Sequence, residues 1–381
     1  MELIERSGGI YGFVHYLQNR EFFRNSQRSS LLLSYLIGLV IFIESSITVL
    51  IAGAVGKPLC KHNKIPKEKL AFVCDSTAAP VCSLILLNGW GALLLGLITT
   101  QVSQNNVDLE PLSLLLESIL YNFYAMSALV VTFLALWFSI DLGAMKDVRY
   151  RAPKQEHEDH KKASLLYMVV PLVAMVFFVF LFLYISGDGD ILKGSGSSAI
   201  FYTMLATLTL IYIYYIATKN MTSKEYMSAS IKGIKKLIPI VLVLFFAFAI
   251  GEVTQKLQSG LYLASLTDSI LHPLFLAPLL FILSGIISFA TGTSWGTFSI
   301  MIPIAIPMAL GMDTSIPLAI GAVISGGIFG DHCSPISDTT IISSLATECD
   351  VIAHVKTQLP YALLSAFIAL SLFLLSSFSQ F

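Results

Sequence analysis

Long apolar runs separated by short polar segments dominate this sequence. A helix needs about 20 apolar residues to cross the hydrocarbon core of a bilayer, and most of the runs reach that length. They span roughly 31–56, 70–100, 112–140, 163–186, 196–217, 237–258, 273–310, 316–345 and 359–379. The pattern predicts an all-α polytopic membrane protein.

Two of the runs have polar centres. Run 31–56 carries Glu44-Ser45-Ser46 in its middle, which leaves two arms of about 12 residues, each about 18 Å long as a helix. Such arms reach the bilayer midplane without crossing, so we expect a re-entrant hairpin; an ordinary crossing is the alternative. Run 273–310 is too long for one crossing and has a polar centre at 291–297. It is predicted to form a second hairpin.

Basic residues indicate the orientation, because cytoplasmic loops are enriched in lysine and arginine. The basic clusters lie in 57–69, 141–162 and 218–236. The segments between them, 101–111, 187–195, 259–272 and 311–315, carry a single lysine, Lys193. Segments 57–69, 141–162, 218–236 and 346–358 are therefore predicted to be cytoplasmic, with the N-terminus inside and the C-terminus outside. The first hairpin then enters from the cytoplasm and the second from outside.

The two hairpins begin similar units of opposite orientation. Each is followed by a run with a polar interruption, at 74–80 and at 330–340, and then by one more span. Inverted repeats with discontinuous helices are typical of secondary transporters. We therefore predict about seven full crossings plus two hairpins. The segments are an N-terminal cytoplasmic or interfacial segment 1–30, a first repeat 31–140, intervening helices 141–258 and a second inverted repeat 259–381.

Composition supports a membrane protein and excludes several other classes. Hydrophobic residues make up 55% of the 381 residues and charged residues only 12%, with a net charge of −1. This balance gives no reason to expect a nucleic-acid partner. The five cysteines show no disulfide framework and no zinc spacing. We expect no bound cofactor, and the first 30 residues lack the apolar core of a cleaved signal peptide.

Carboxylates inside apolar runs are costly and mark functional sites. Asp75 and Asp338 are predicted as ligands for a metal ion, sodium, and as proton carriers; for Asp75 a helix cap is the alternative. Glu44 is predicted as a coupling acid at the first hairpin tip. Asp331 and His332 follow several glycines. His332 is predicted either to relay protons or to form a structural hydrogen bond to Asp331.

Hydroxyl groups and freed carbonyls near these acids are expected to complete an ion- and proton-binding site. They belong to Ser76, Thr77, Thr291, Gly292, Thr293, Ser294, Ser334, Ser337 and Thr339. A buried carboxylate loses its desolvation penalty by binding either a proton or sodium, and this competition couples the two flows. A hydrolase using Asp331, His332 and Cys333 needs a nucleophile and a base held within reach of each other, which adjacent residues rarely achieve. We expect no enzyme.

Three stretches resemble the NhaC family of Na+/H+ antiporters. They are KLAFVCDSTAAPV at 69–81 with GWGA at 89–92, ATGTSWGT at 290–297, and GDHCSPISDTT at 330–340. The resemblance runs from about Gly8 to the C-terminus. It implies sodium/proton exchange across a prokaryotic inner membrane, with Na+ and H+ as partners, and the ion-transporter superfamily fold. A homodimer is a candidate assembly.

Relatives in this family that exchange organic acids, such as malate for lactate, suggest an organic-acid or amino-acid exchanger as the alternative. Such an exchanger would need a fixed cationic group, and the broken segments contain no lysine or arginine.

Two features of this sequence depart from the pattern of the family. Glu44 is followed by Ser45 where the family usually has an acidic pair, and three spans precede the second unit but none the first. We therefore expect either a reduced member or about three further helices, about 80 residues, before Met1.

Overall fold

The computed structural model describes residues 2–9, 12, 26–42, 44–105, 109–150, 164–189, 196–256 and 272–378. Within these residues the secondary structure is helical and contains no strand, as predicted. In chain order the helices are α1 (Glu2–Arg6), α2 (Gln27–Val40), α3 (Ser45–His62), α4 (Lys67–Leu84), α5 (Gly89–Gln104), α6 (Pro111–Ile119), α7 (Phe123–Phe138), α8 (Leu166–Ser186), α9 (Gly196–Ala217), α10 (Ser223–Lys256), α11 (Leu276–Thr291), α12 (Ser294–Gly311), α13 (Ile316–Cys333), α14 (Asp338–Thr347) and α15 (Val351–Phe378). Short 3₁₀ turns span Gly143–Asp147 and Pro273–Phe275.

Length and composition make this a multi-pass membrane protein. Six helical segments of the described chain are long and apolar enough to cross a bilayer, and a seventh is added if the bent pair α4 and α5 counts as one span. The outer faces of these helices carry large apolar side chains, such as Phe367, which is 69% exposed, and Val173, 62% exposed. Such faces fit a hydrocarbon environment.

The chain forms two compact units. One contains residues 1–23 and 153–242, and the other contains residues 24–152 and 243–381. In the first unit α8 packs along α9, and the Tyr215 hydroxyl donates to the Tyr167 carbonyl at 2.6 Å. All residues of the candidate site belong to the second unit, whose main apolar core lies among α5, α11, α12 and α13.

Helix breaks occur in both predicted hairpins. The first lies between α2 and α3, where Glu44 caps α3, and the second lies at Gly292 and Thr293. In the first hairpin both arms are longer than the 12 residues expected: α2 has 14 residues and α3 has 18 residues. Helices α11 and α12 are each part of a segment long enough to cross alone. Whether the pairs are re-entrant therefore stays a prediction.

The predicted break in run 70–100 is present, but its predicted position at 74–80 is wrong. Helix α4 runs without a break from Lys67 to Leu84 with Pro80 inside it, because the polar residues here are buried against other helices and do not disturb the backbone. The chain bends instead after Leu84, and α5 begins at Gly89, 44° from α4. Asn88 caps α5 with Oδ1, and its Nδ2 donates to the carbonyls of Phe42, Cys82 and Ile85 at 2.7–2.8 Å.

Three predicted loops are largely helical. Helix α10 begins at Ser223, inside predicted loop 218–236, because Thr222 and Glu225 form a reciprocal capping box. Helix α15 begins at Val351, inside predicted loop 346–358, where Asp350 Oδ1 accepts the Ala353 N–H. In segment 57–69 the ends of α3 and α4 leave only four residues between them.

The other predicted segments agree with the structure, except that some of them contain a short break between two helices. The run 112–140 forms two helices, α6 and α7, separated at residues 120–122. The interruption predicted at 330–340 contains the break 334–337 between α13 and α14. Most of the predicted segments 1–30, 187–195 and 259–272, and part of 141–162, lies outside the described residues.

Candidate functional site

Asp75 is at the centre of the site. It lies in the middle of α4 with 0% of its surface exposed, so it is not a helix cap. Its Oδ2 accepts a hydrogen bond from Gln358 Nε2 at 2.7 Å and from the Thr340 hydroxyl at 3.4 Å, and His354 Nε2 lies 3.3 Å away. Its Oδ1 has no partner in the described part of the chain. One carboxylate oxygen is thus anchored and the other is free to take a ligand.

Helix α15 supplies two of these partners. His354 and Gln358 are one helical turn apart, share a face and are 0% and 1% exposed. Gln358 Nε2 also donates to the His332 carbonyl at 3.0 Å, which joins α15 to the end of α13. The sequence analysis missed both residues, because it placed them in a loop. The signal was the spacing His-x-x-x-Gln just before the last apolar run.

A second buried acid lies close by. Asp331 is 1% exposed near the end of α13, and its Oδ2 accepts the Thr339 hydroxyl at 3.2 Å while Oδ1 has no partner among the described residues. Thr339 and Thr340 are adjacent in the first turn of α14, and each contacts a different acid. The start of α14 therefore connects the two carboxylates.

His332 belongs to a hydrogen-bond network that links several helices. Its Nδ1 lies 3.1 Å from the Tyr124 hydroxyl. The Tyr124 N–H donates to Ser325 Oγ, which in turn donates to Asn122 Oδ1, and Asn122 Nδ2 donates to Ser83 Oγ. The partner of the His332 ring is thus Tyr124 and not the neighbouring Asp331 or Cys333.

Two further predicted acids, Glu44 and Asp338, accept hydrogen bonds from backbone N–H groups at helix starts. Both carboxylate oxygens of Glu44 are used in capping α3, because they accept the N–H groups of Ser46 and Ile47 at 3.0 and 3.1 Å. Asp338 occupies an exposed position at the start of α14, and its Oδ1 accepts the Thr339 N–H at 2.8 Å. Their roles in ion binding stay predictions.

The predicted hydroxyl and backbone ligands are spread over three regions. On α4, Ser76 and Thr77 are buried beside Asp75, with the Thr77 hydroxyl bonded to the Val73 carbonyl. At the α11–α12 break, Gly292 has φ +68° and Thr293 caps α12. The remaining positions are exposed Thr291, buried Ser294, Ser334 bonded to the Phe289 carbonyl, and Ser337, which caps α14.

The unpartnered atoms of the site are mostly acceptors. Asp75 Oδ1, Asp331 Oδ1 and Gln358 Oε1 are buried without a hydrogen-bond partner in the described chain, and so are His332 Nε2 and His354 Nδ1, which donate or accept according to the tautomer. Three acceptors favour a proton or a cation, since an anion would need donors. The described residues contain no group of three or more His, Cys, Asp or Glu side chains arranged around a metal ion. A hard monovalent cation, which takes carboxylate, hydroxyl and carbonyl oxygens, fits better than a transition metal.

Comparison with known proteins agrees with this chemistry. The sequence model described as "Na+/H+ antiporter family" matches residues 81–378. An uncharacterised protein of Haemophilus influenzae is 32% identical over 380 residues, covering 94% of this chain and 73% of that protein. Over shorter stretches, the Malate-2H(+)/Na(+)-lactate antiporter of Bacillus subtilis is 32% identical over 166 residues, 42% of this chain and 32% of its own.

Two further relatives agree with the predicted family and fold. The Na(+)/H(+) antiporter NhaC of Alkalihalophilus pseudofirmus is 32% identical over 159 residues, 40% of this chain and 33% of its own. The crystal structure of the Alcanivorax borkumensis YdaH transporter superposes with a TM-score of 0.66 at 16% identity, covering 98% of this chain and 82% of that one. The resemblance noted in the sequence and the helical transporter fold are both confirmed.

Proposed function

Because this chain belongs to the Na+/H+ antiporter family, we propose that it is a secondary active transporter that exchanges sodium ions for protons. The proposed setting is the inner membrane of a prokaryote, with the N-terminus in the cytoplasm and the C-terminus outside. Transport needs no covalent step, so we assign no catalytic residue and no resident cofactor. A homodimer is part of the proposal.

The state of Asp75 is the single observation that supports this function most. Its side chain has no exposed surface, and the two oxygens differ: one contacts Gln358, His354 and Thr340, and the other has no partner among the residues that the structure describes. A buried carboxylate oxygen without a donor costs free energy unless a proton or a cation occupies it. We therefore place the exchanged ions at Asp75 Oδ1.

Competition for Asp75 couples the two flows. The bare carboxylate is disfavoured in a low-dielectric interior, so the site is stable when it holds either a proton or sodium. Both loaded forms can pass through the conformational change, while the empty charged form is held back. Asp331 provides a second buried carboxylate, connected to Asp75 through Thr339 and Thr340. We keep Asp338 as a further sodium ligand to be tested.

Exchange of an organic acid with sodium and protons is the second candidate function. The relative named Malate-2H(+)/Na(+)-lactate antiporter suggests it, and two buried histidines, His332 and His354, could supply positive charge to an organic anion. The three unpartnered acceptors weigh in favour of small cations.

Reconstitution separates the two functions. The purified protein is placed in vesicles with a pH-sensitive dye and an imposed proton gradient, and sodium, lithium, potassium, malate or lactate is added in turn. A pH change on adding sodium alone supports sodium/proton exchange, and a response that requires malate or lactate supports the second candidate. An unchanged response of Asp338→Asn to sodium would remove Asp338 from the site.

A further inference from the structure

We propose that the cation reaches Asp75 along a buried polar path between α4 and α14, from Glu68 past Ser344 and Ser343. The proposal rests on the proposed function, because it names the route to the same site. It gives roles to Glu68, Ser343 and Ser344, which the sequence analysis did not consider.

Helix α14 has its polar face buried and its apolar face exposed. The buried face consists of hydroxyl side chains, each at most 2% exposed: Thr340, Ser343, Ser344 and Thr347. On the opposite face Leu345 is 70% exposed and Ile341 is 37% exposed. This is the reverse of a helix in a water-soluble protein. It fits a helix that turns Leu345 to lipid and lines a polar interior.

Contacts at both ends fix how α14 lies against α4. The Thr340 hydroxyl donates to Asp75 Oδ2, and Lys67 Nζ donates to the Glu348 carbonyl at 2.6 Å. Since the contacts are eight residues apart on each helix, the two helices are antiparallel and in register. This register places Ser344 and Ser343 opposite Ala71 and Phe72, between the two ends.

Unpartnered polar atoms lie along the whole length of this helix pair. Glu68 Oε2, Ser344 Oγ, Ser343 Oγ and Asp75 Oδ1 are all buried and lack a hydrogen-bond partner among the described residues. Glu68 and Asp75 are seven residues apart on α4, so they share a face at a distance of about 10 Å along the helix axis. Buried polar atoms without partners indicate sites for water or an ion.

The two ends of the path differ in a way that gives it a direction. At the Asp75 end every named residue is fully buried. At the other end α14 stops at Thr347, and Glu348 forms an exposed ion pair with Lys57 at 2.6 Å, with side chains 42% and 43% exposed. The path therefore runs from the exposed end of α14 to the buried acid. Glu68 and Asp75 lie at its two ends with hydroxyls between them, which favours a cation over an anion. The lysines at the outer end, Lys57 and Lys67, are bonded to the carboxylate and the carbonyl of Glu348.

Chemical labelling tests the path without requiring transport. In a variant whose five native cysteines are replaced by alanine or serine, Ser344→Cys is treated with a cationic and an anionic methanethiosulfonate of similar size. We expect the cationic reagent to react at least about 10-fold faster, because the path has an acid at each end. Leu345→Cys, on the opposite face, is the matched control and should react with neither reagent because it faces lipid. An unreactive Ser344→Cys, equal rates for both reagents, or a reactive Leu345→Cys would overturn the proposal.

Substitution by valine separates the path from the binding site. Ser344→Val replaces the hydroxyl with a methyl group and adds a second methyl group, and we expect sodium-driven exchange to slow about 10- to 100-fold while sodium still raises the thermal stability. Ser365→Val is the control, because Ser365 is equally buried but its hydroxyl is bonded to the Tyr361 carbonyl at 2.9 Å. Wild-type exchange in Ser344→Val contradicts the path. Absence of exchange in the unmodified protein contradicts the proposed function instead. In that case the labelling experiment still tests whether the path exists.

Discussion

Replacing Asp75 with asparagine tests the centre of the proposed mechanism. The change keeps the size of the side chain and an oxygen that can face Gln358, but it removes the negative charge. We expect Asp75→Asn to lose exchange and also to lose any stabilisation by sodium. In sodium-free solution the variant should be at least as stable as the wild type, because it no longer depends on a bound proton to neutralise a buried carboxylate.

The size of the effect follows from the geometry of a bound ion. A sodium ion about 2.4 Å from a carboxylate oxygen gains about 7 kcal/mol at an effective dielectric constant of about 20, before the cost of removing its water is subtracted. If only a quarter of that gain remains, the affinity falls about 20-fold on removal of the charge. At a sodium concentration 100 times its dissociation constant, the wild type should gain about 2.7 kcal/mol of stability.

The five buried cysteines provide a suitable assay. A maleimide dye that fluoresces on reaction with thiols reports unfolding as these cysteines become exposed, and the melting temperature is followed against sodium concentration. Potassium at equal ionic strength controls for general salt effects. Asp147→Asn, an exposed acid at the end of the 3₁₀ turn Gly143–Asp147, is the matched control and should respond to sodium like the wild type. A normal sodium response in Asp75→Asn would refute the assignment of the ion to this carboxylate.

Three further changes follow from the structure. Gln358→Leu removes hydrogen bonds to a carboxylate and to a carbonyl and should cost about 2–4 kcal/mol of stability; in the same thermal assay the buried control Gln101→Leu should cost about 1 kcal/mol, and equal losses would contradict the role of Gln358. Gly292→Ala should lower the melting temperature, because φ is +68° and the added Cβ would lie 2.7 Å from the Ile336 carbonyl oxygen. Gly96→Ala should not, because no heavy atom of the described residues lies within 4 Å of the added carbon, and equal melting temperatures of the two variants would contradict the expected strain at Gly292. His62→Cys, at an exposed position, should react with a membrane-impermeant maleimide from the cytoplasmic side only, and labelling from outside would reverse the proposed orientation.

Hydropathy identified the membrane class and most helices, but polar residues inside helices misled it. The stretch 74–80 contains Asp75, Ser76 and Thr77 and was predicted as a break, yet the backbone is helical there because these side chains face other helices. The real bend after Leu84 lies in a leucine-rich stretch and has only Asn88-Gly89 as its signal. Polarity along a membrane helix reports what the side chain touches and does not by itself locate a break in the backbone.

Polar residues inside a helix are also the reason why the sequence analysis missed half of the site. His354, Thr357 and Gln358 lower the hydropathy of the first turns of α15, so residues 346–358 were predicted as a loop. They are buried in protein and not in lipid, and their partner Asp75 is 279 and 283 residues away in sequence from His354 and Gln358. A single sequence contains no information on such a contact. The acids themselves could be found, because a carboxylate in an apolar run is costly wherever it points.

Asn88 has a mechanical consequence. Its amide nitrogen has two hydrogens but holds three carbonyls, one in the α2–α3 break at Phe42 and two at the end of α4, while its oxygen fixes the start of α5. A tilt of either irregular segment on its own would break these bonds. In the proposed exchange mechanism, we therefore expect the two segments to move together when access to Asp75 changes from one side of the membrane to the other.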